Sequence, residues 1–310
     1  MFTKSIKRKK SHKVVASLQG KQNPPKILIL GARGMLGSDL KKIFKGANVT
    51  TCGKDEIDIT VKEALNKKID SLNPDIIINA AAYTDVDGAE KNEKVANEVN
   101  ASALNYLSEI CYNLNSILVH YSTDYVFDGK KKEGYLENDE PSSLNVYGRS
   151  KALGEKNIVK SKLKRYYIIR SAWLFGPSVA IPCKNFVNTI LDLAEKRPLL
   201  RVVNDQHGSP SYALDLAQRT KEILDNNLPF GFYHFTNKGE TTWYTFAKEI
   251  VRQGLKYGFI KRPVAKIVPC ESSEYPKPAT RPNYSILKNT KTPPARSWKK
   301  ALSDYLNSEF

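Results

Sequence analysis

KILILGARGMLG, residues 26–37, decides the fold of this chain. Lys26–Gly31 is a short apolar run that meets glycine at once, the pattern of a strand buried on both faces. Gly31, Gly34 and Gly37 follow at three-residue spacing, and Met35–Phe44 carries an amphipathic helical pattern. A strand that turns tightly on glycine into a helix lets the backbone approach a pyrophosphate. The helix N-terminus then presents its unpaired N–H groups and positive dipole end to the phosphates. A glycine triplet alone is equally a structural turn. Its place between strand and helix is what points to dinucleotide binding.

Outward from that unit the alternation continues. A second strand fits Asn48–Cys52 and a helix Val61–Leu72. Pro74 opens the buried strand DIIINAAA, Ala89–Leu114 has helical periodicity without Pro or Gly, and Ser116–Ser122 reads as the next strand. A loop over Asp128–Asn145, a helix from Val146 and a strand in YYIIRSAWLFG complete the series. Strands alternating with helices of this length imply right-handed crossovers and an α/β fold with a doubly wound parallel sheet, of the Rossmann kind. From about Gly176 the pattern is richer in Pro and less regular. The expected organisation is a disordered basic tail at 1–24, a dinucleotide-binding domain at 25–172, and a smaller, mainly substrate-binding region at 173–310. Some segments of that last region should return to the sheet.

Among the 310 residues no apolar run approaches the ~18–20 that a membrane span needs, and VVASL is too short for a secretory core, so the chain reads as cytoplasmic. The net charge is +17, with seven cations and no acid in the first 24 residues. Such a segment buries too little apolar surface to fold, and a solvated tail is preferred over a nucleic-acid or membrane partner. Cys52, Cys111, Cys183 and Cys270 are scattered, as are the four histidines, so neither a disulfide framework nor a metal site is indicated.

At the tip of the second strand the residues are Cys52-Gly53-Lys54. An acid there would bind a ribose 2′-hydroxyl; Lys54 instead suits a 2′-phosphate, which favours NADPH, while Asp55 keeps NADH open. Asp58 and Ile59 fall where a pair flanking the adenine could sit. Asn79-Ala80-Ala81-Ala82 ends the DIII strand with small side chains that leave room for a cofactor. Thr123 follows the fourth strand, and Tyr147 and Lys151 share a helical face at i and i+4. Hydroxyl, phenol and amine in that order can hold a carbonyl and move a proton to it while a nicotinamide delivers hydride. Lys151 favours the phenolate electrostatically and can bond the nicotinamide ribose. Tyr244/Lys248, Tyr257/Lys261 and Tyr284/Lys288 repeat the spacing outside such a context. Asn100 either polarises the lysine through water or packs a helix.

GARGMLG, NAAAYTDVDGAE, YSTDYVFDG, NVYGRSKALGE and RSAWLFG, in that order, resemble the extended short-chain dehydrogenases. With VVNDQHGSPSYALDLA, GFYHFTNKGETTWYTFAKEI and YPKPATRPNYSIL, the chain is similar to the dTDP-4-dehydrorhamnose reductase family from Lys26 to Phe310. The resemblance implies NADPH-dependent reduction of the 4-keto group of dTDP-4-dehydrorhamnose, with NADH accepted by some members. It implies Gly34, Met35 and Leu36 at the pyrophosphate, and Ala81, Ala82 and Tyr83 beside the nicotinamide. Thr123, Asp124 and Trp173 would contact the sugar, a dTDP-linked deoxysugar. It also brings a possible homodimer and magnesium ion without assignable ligands. The loop PSVAIPCK is longer than usual in the family, and Ser211 stands where Thr is commoner. Two other readings are a reductase or epimerase of another nucleotide-linked deoxysugar, and a non-catalytic regulatory subunit like that of methionine adenosyltransferase. Trp173 and NDQHGSP favour the sugar reductase.

Overall fold

Residues 26–30 form strand β1 (Lys26–Leu30), four of whose five residues are buried. The computed structural model describes residues 24–177 and 185–308. The basic tail and most of PSVAIPCK, with Cys183, lie outside the described residues.

After β1 come α1 (Met35–Ile43), β2 (Asn48–Cys52), α2 (Lys62–Leu72) and β3 (Ile76–Asn79). Then follow α3 (Val86–Ala89), α4 (Glu93–Asn97), α5 (Ala103–Asn113), β4 (Ile117–Thr123), α6 (Val146–Lys160), β5 (Tyr166–Ser171) and β6 (Leu174–Phe175). The C-terminal part contains α7 (Phe186–Lys196), β7 (Leu199–Val203), β8 (His207–Gly208), β9 (Ser211–Tyr212) and α8 (Ala213–Asp225). It ends with β10 (Gly231–Phe235), β11 (Thr241–Thr242), α9 (Trp243–Lys256), β12 (Lys266–Cys270) and α10 (Trp298–Ser308).

Six strands form one sheet in the order β10-β5-β4-β3-β1-β2, and every pairing is parallel. The chain winds outward in opposite directions on the two sides of β1. The carboxyl edge beside β1 and β3 is therefore the switch point where such sheets bind ligands. Both faces are covered. Ile27, Ile29, Ile76, Ile78 and Val119 pack with residues of α1 and α8, while Leu28, Leu30, Ile77, Leu118 and Ile168 pack with residues of α2 and α5. A separate cluster around Phe175, Val187, Phe246, Trp298 and Leu302 holds the C-terminal elements. Among the described residues no helix is long and apolar enough to cross a membrane.

Two sequence expectations are corrected. Ala89–Leu114 is not one regular helix: α3 is set apart at residues 90–92, and a π-helical turn at Glu98–Ser102 interrupts the otherwise continuous run from α4 into α5. That turn places Asn100 against the Tyr83 backbone, a tertiary contact that periodicity does not record. The segment YYIIRSAWLFG is likewise interrupted. Trp173 has φ of 48°, which a bulky residue seldom adopts, and this kink sends β6 out of the sheet to pair with β9.

Candidate active site

The turn from β1 into α1 is fixed by its own glycines. Gly31 has φ of 75°, and a β-carbon there would lie 2.6 Å from the Ala81 nitrogen. A β-carbon on Gly37 would lie 2.2 Å from the Gly31 oxygen. Gly34 differs: its nearest such neighbour is 3.4 Å away, it caps α1 without any side-chain hydrogen bond, and it lines a cleft. Two glycines thus serve the protein's packing, and the middle one opens a helix N-terminus onto the cleft.

That cleft, of about 510 Å³, gathers most of the expected residues. Gly34, Met35 and Leu36 form one side, Ala80, Ala82 and Thr84 another. Thr123, Tyr147 and Lys151 line it as well, as do Ser171–Leu174. Gly31, Gly37, Ala81, Tyr83 and Asp124 support this wall without lining it. Asp58 and Ile59 stand apart from it. The Asp58 carboxylate accepts from the Thr60 nitrogen (2.9 Å) and hydroxyl (2.7 Å), while Ile59 is buried in the core.

Tyr147 is delivered by the N-terminus of α6. Asn145 caps the helix by accepting from the Gly148 nitrogen at 2.8 Å, and the Val146 nitrogen donates to Glu90 at 2.9 Å. Gly148 allows the helix to press on the loop after β4, since a β-carbon there would lie 2.1 Å from the Tyr125 oxygen. Burial, with the Asp124 charge nearby, pushes the pKa of the Tyr147 hydroxyl up to about 12, against a smaller lowering influence of Thr123. Thr123 Oγ1 donates to Asp124 Oδ1 at 3.0 Å and accepts from the Tyr125 nitrogen at 3.2 Å. Burial raises the Asp124 carboxyl to about 6. Lys151 is 2% exposed; Nζ donates to the Tyr121 carbonyl at 2.7 Å and lies 3.1 Å from His120 Nε2. Burial lowers its pKa to about 8. None of the three other Tyr/Lys pairs lines this cleft; Lys248, for example, lies over the Tyr244 ring on α9.

Asn100 settles on a positioning contact. Its Oδ1 accepts from the Tyr83 nitrogen (2.9 Å), and its Nδ2 donates to the Tyr83 oxygen (3.0 Å) and to Ser150 Oγ (2.9 Å), tying the Ala82–Tyr83 turn to α6.

Several residues escaped the sequence reading. Arg33 lies over Gly53, where a β-carbon would come within 3.0 Å of its Nε, and it pairs with Asp55. Exposed Lys54 stands beside it, so the tip of β2 carries two cations next to the carboxylates of Asp55 and Glu56, the latter accepting from the Gly53 nitrogen at 2.6 Å; the signal was a basic residue inside the glycine motif itself. Trp173 stacks on Trp243 with centroids 3.6 Å apart, and its indole fills the space that a side chain at Gly208 would need. Only the folded chain brings residues 173, 208 and 243 together. Among the described residues no group of three or more His, Cys, Asp or Glu is placed to hold a metal ion, so magnesium has no assigned ligands.

A parallel sheet with an open helix N-terminus at its switch point, and Thr, Tyr and Lys converging in the cleft beside it, defines a nicotinamide-dependent oxidoreductase of the short-chain dehydrogenase type. The chain belongs to the family described as the RmlD substrate binding domain, whose model matches residues 25–309. It is 37% identical over 274 residues to a dTDP-4-dehydrorhamnose reductase of Burkholderia thailandensis, covering 85% of this chain and 90% of that protein. A crystal structure of a dTDP-4-dehydrorhamnose reductase from Clostridium acetobutylicum matches with a TM-score of 0.84 and 37% identity, over 92% of this chain and 99% of that one. The Bacillus anthracis enzyme of the same name, solved in complex with NADP, matches with a TM-score of 0.84 and 32% identity over the same shares.

Proposed function

We propose that this chain reduces the 4-keto group of dTDP-4-dehydrorhamnose with NADPH to give dTDP-L-rhamnose. The observation that carries the reading is the Thr123–Tyr147–Lys151 set lining the cleft that Gly34 opens onto, in a chain whose relatives are reductases of that name.

The residues fit the cofactor: an uncapped helix end for the pyrophosphate, and Arg33 with Lys54 for a 2′-phosphate. Bound there, NADPH supplies the hydride and, once oxidised, a positive charge near Tyr147. Tyr147 and Thr123, once the Thr123 hydroxyl hydrogen turns away from Asp124, hold the substrate carbonyl between them. A phenol held near 12 stays protonated at neutral pH but is a weaker acid than a free one, opposite to the shift expected from Lys151, so release of its proton relies on the positive charge of the oxidised cofactor. It passes its proton to the carbonyl oxygen as hydride arrives at carbon, and the phenolate left behind is stabilised by Lys151 and re-protonated from water. Met35–Leu36 and Ala81–Tyr83 flank the dinucleotide. Asp124 and Trp173 contact the sugar, an indole being suited to the apolar face of a deoxysugar. The division of labour is residues 25–172 for the cofactor and mainly 173–310 for the sugar nucleotide.

The test is NADPH oxidation with dTDP-4-dehydrorhamnose generated in place by the enzymes that precede it. Turnover with formation of the dTDP-linked 6-deoxyhexose is expected. Tight NADPH binding without turnover would overturn the reading and return the regulatory-subunit alternative.

A further inference from the structure

His120 is a buried titratable group that the mechanism above does not use. It lies on β4 at 1% exposure, opposite Asn79 of β3 in the sheet register. The backbone nitrogen of Ala81 donates to Asn79 Oδ1 at 3.1 Å. Asn79 Nδ2 faces His120 Nδ1 at 3.3 Å, and His120 Nε2 faces Lys151 Nζ at 3.1 Å.

The donor and acceptor roles along this row follow one from another. A backbone N–H can only donate, so Asn79 turns its oxygen to Ala81 and its NH₂ to the histidine. An NH₂ can only donate, so His120 Nδ1 must accept and carries no proton. A neutral imidazole with an unprotonated Nδ1 has its hydrogen on Nε2, and that hydrogen points at Lys151. The imidazolium is excluded by the same logic, since both of its nitrogens would face donors; burial and the Lys151 charge also push the His120 pKa well below its ordinary value. An ammonium has no lone pair to meet an N–H, whereas an amine has one.

We propose that Asn79 and His120 are positioning residues that act through Lys151, presenting it with an Nε2–H that favours the amine and so sets how readily the lysine holds its proton. The other groups around Lys151 do not reverse this. From β4 the Tyr121 carbonyl accepts one of its hydrogens. On its own helix Glu155 is the one carboxylate with an influence, and both its oxygens are held by Arg170 at 2.9 and 2.7 Å. Tyr147 lies one turn away on α6, with Thr123 and Asp124 beyond it. Burial alone already lowers Lys151 to about 8, and a donor facing it acts in the same direction. This inference rests on Lys151 serving the reductase reading above. It adds that the lysine's charge is adjusted from across the sheet, where the small-residue turn after β3 also begins.

The tautomer of His120 reports this without any assay of activity. Nitrogen-15 NMR of the whole ligand-free chain at neutral pH, with the ring assigned by comparison with His120→Gln, should show a protonated Nε2 and an unprotonated Nδ1. A protonated Nδ1 or an imidazolium would overturn the proposal. Asn79→Asp gives the complementary reading, because a carboxylate accepts from both neighbours and reverses the row. In that variant the His120 proton should move to Nδ1, and the basic limb of kcat/KM should move about tenfold in proton concentration toward higher pH. An unmoved limb in a folded variant would also overturn the proposal. If Asn79→Asp fails to fold, the tautomer in the unaltered chain decides.

Discussion

The two walls of the cleft are built by different means. On the side proposed for the cofactor the wall comes from consecutive residues, Gly34 to Leu36, on a turn so tight that a β-carbon at Gly31 or Gly37 would fall within 3 Å of backbone atoms. On the side proposed for the sugar the wall is side chain: Trp173 in a left-handed conformation, stacked on Trp243 and pressed against Gly208. A ligand common to many enzymes can be met by a repeated backbone turn. A particular sugar would be met by aromatic surfaces gathered from distant segments, and it is there that Trp173 takes its left-handed backbone conformation.

Substitutions can break this contrast in order of expected size. Gly37→Ala drives a methyl group into the Gly31 carbonyl, where only backbone can move, and should cost roughly 1–3 kcal/mol of stability or more. A lowered Tm together with weakened NADPH binding is expected. Gly34→Ala, with its open side, should keep the Tm and weaken only the cofactor. If both variants behaved alike, the separate roles of the glycines would be lost.

Gly208→Ala strikes the other wall. Its β-carbon would lie 2.5 Å from the Trp173 indole, so the ring must shift. The KM for the sugar nucleotide should rise roughly tenfold, about 1.4 kcal/mol, with the Kd for NADPH unchanged. An equal rise in both would show that the walls are not independent. Arg33→Ala should weaken NADPH several-fold, on the order of 1 kcal/mol, and leave NADH nearly unaffected. Titrations with the two cofactors check this, and equal losses would remove Arg33 from the 2′-phosphate.

Asp124 gives an effect of another kind, on stability and read against pH. Its carboxyl holds a proton to about 6 in the folded chain, against roughly 4 when unfolded. The unfolded state therefore binds fewer protons between those values, and stability should fall as pH rises through that window. The loss is roughly 3 kcal/mol at most. Denaturant unfolding across the window should show this slope, and Asp124→Asn should flatten it.

The cofactor half was legible because its signals are local. β2 was found at its true bounds, and Tyr147 and Lys151 stand out as the one Tyr/Lys pair following a strand that ends at the glycine edge. What stayed hidden depends on contacts between distant segments. The π-helical turn goes together with the bond from the Tyr83 backbone to Asn100, and the break at Trp173 with the pairing of β6 and β9. His120 looks like any strand residue until Asn79 and Lys151 are seen on either side of it. Arg33 was visible, but its role depends on lying across Gly53.

The most direct test of the account is single-turnover reduction of dTDP-4-dehydrorhamnose with NADPH deuterated at the transferred position, in the native chain and in Tyr147→Phe. The account predicts deuterium at the former keto carbon. It also predicts a rate in the variant lower by roughly 10²–10⁴-fold, with NADPH affinity nearly unchanged. Native-like turnover in Tyr147→Phe would contradict it.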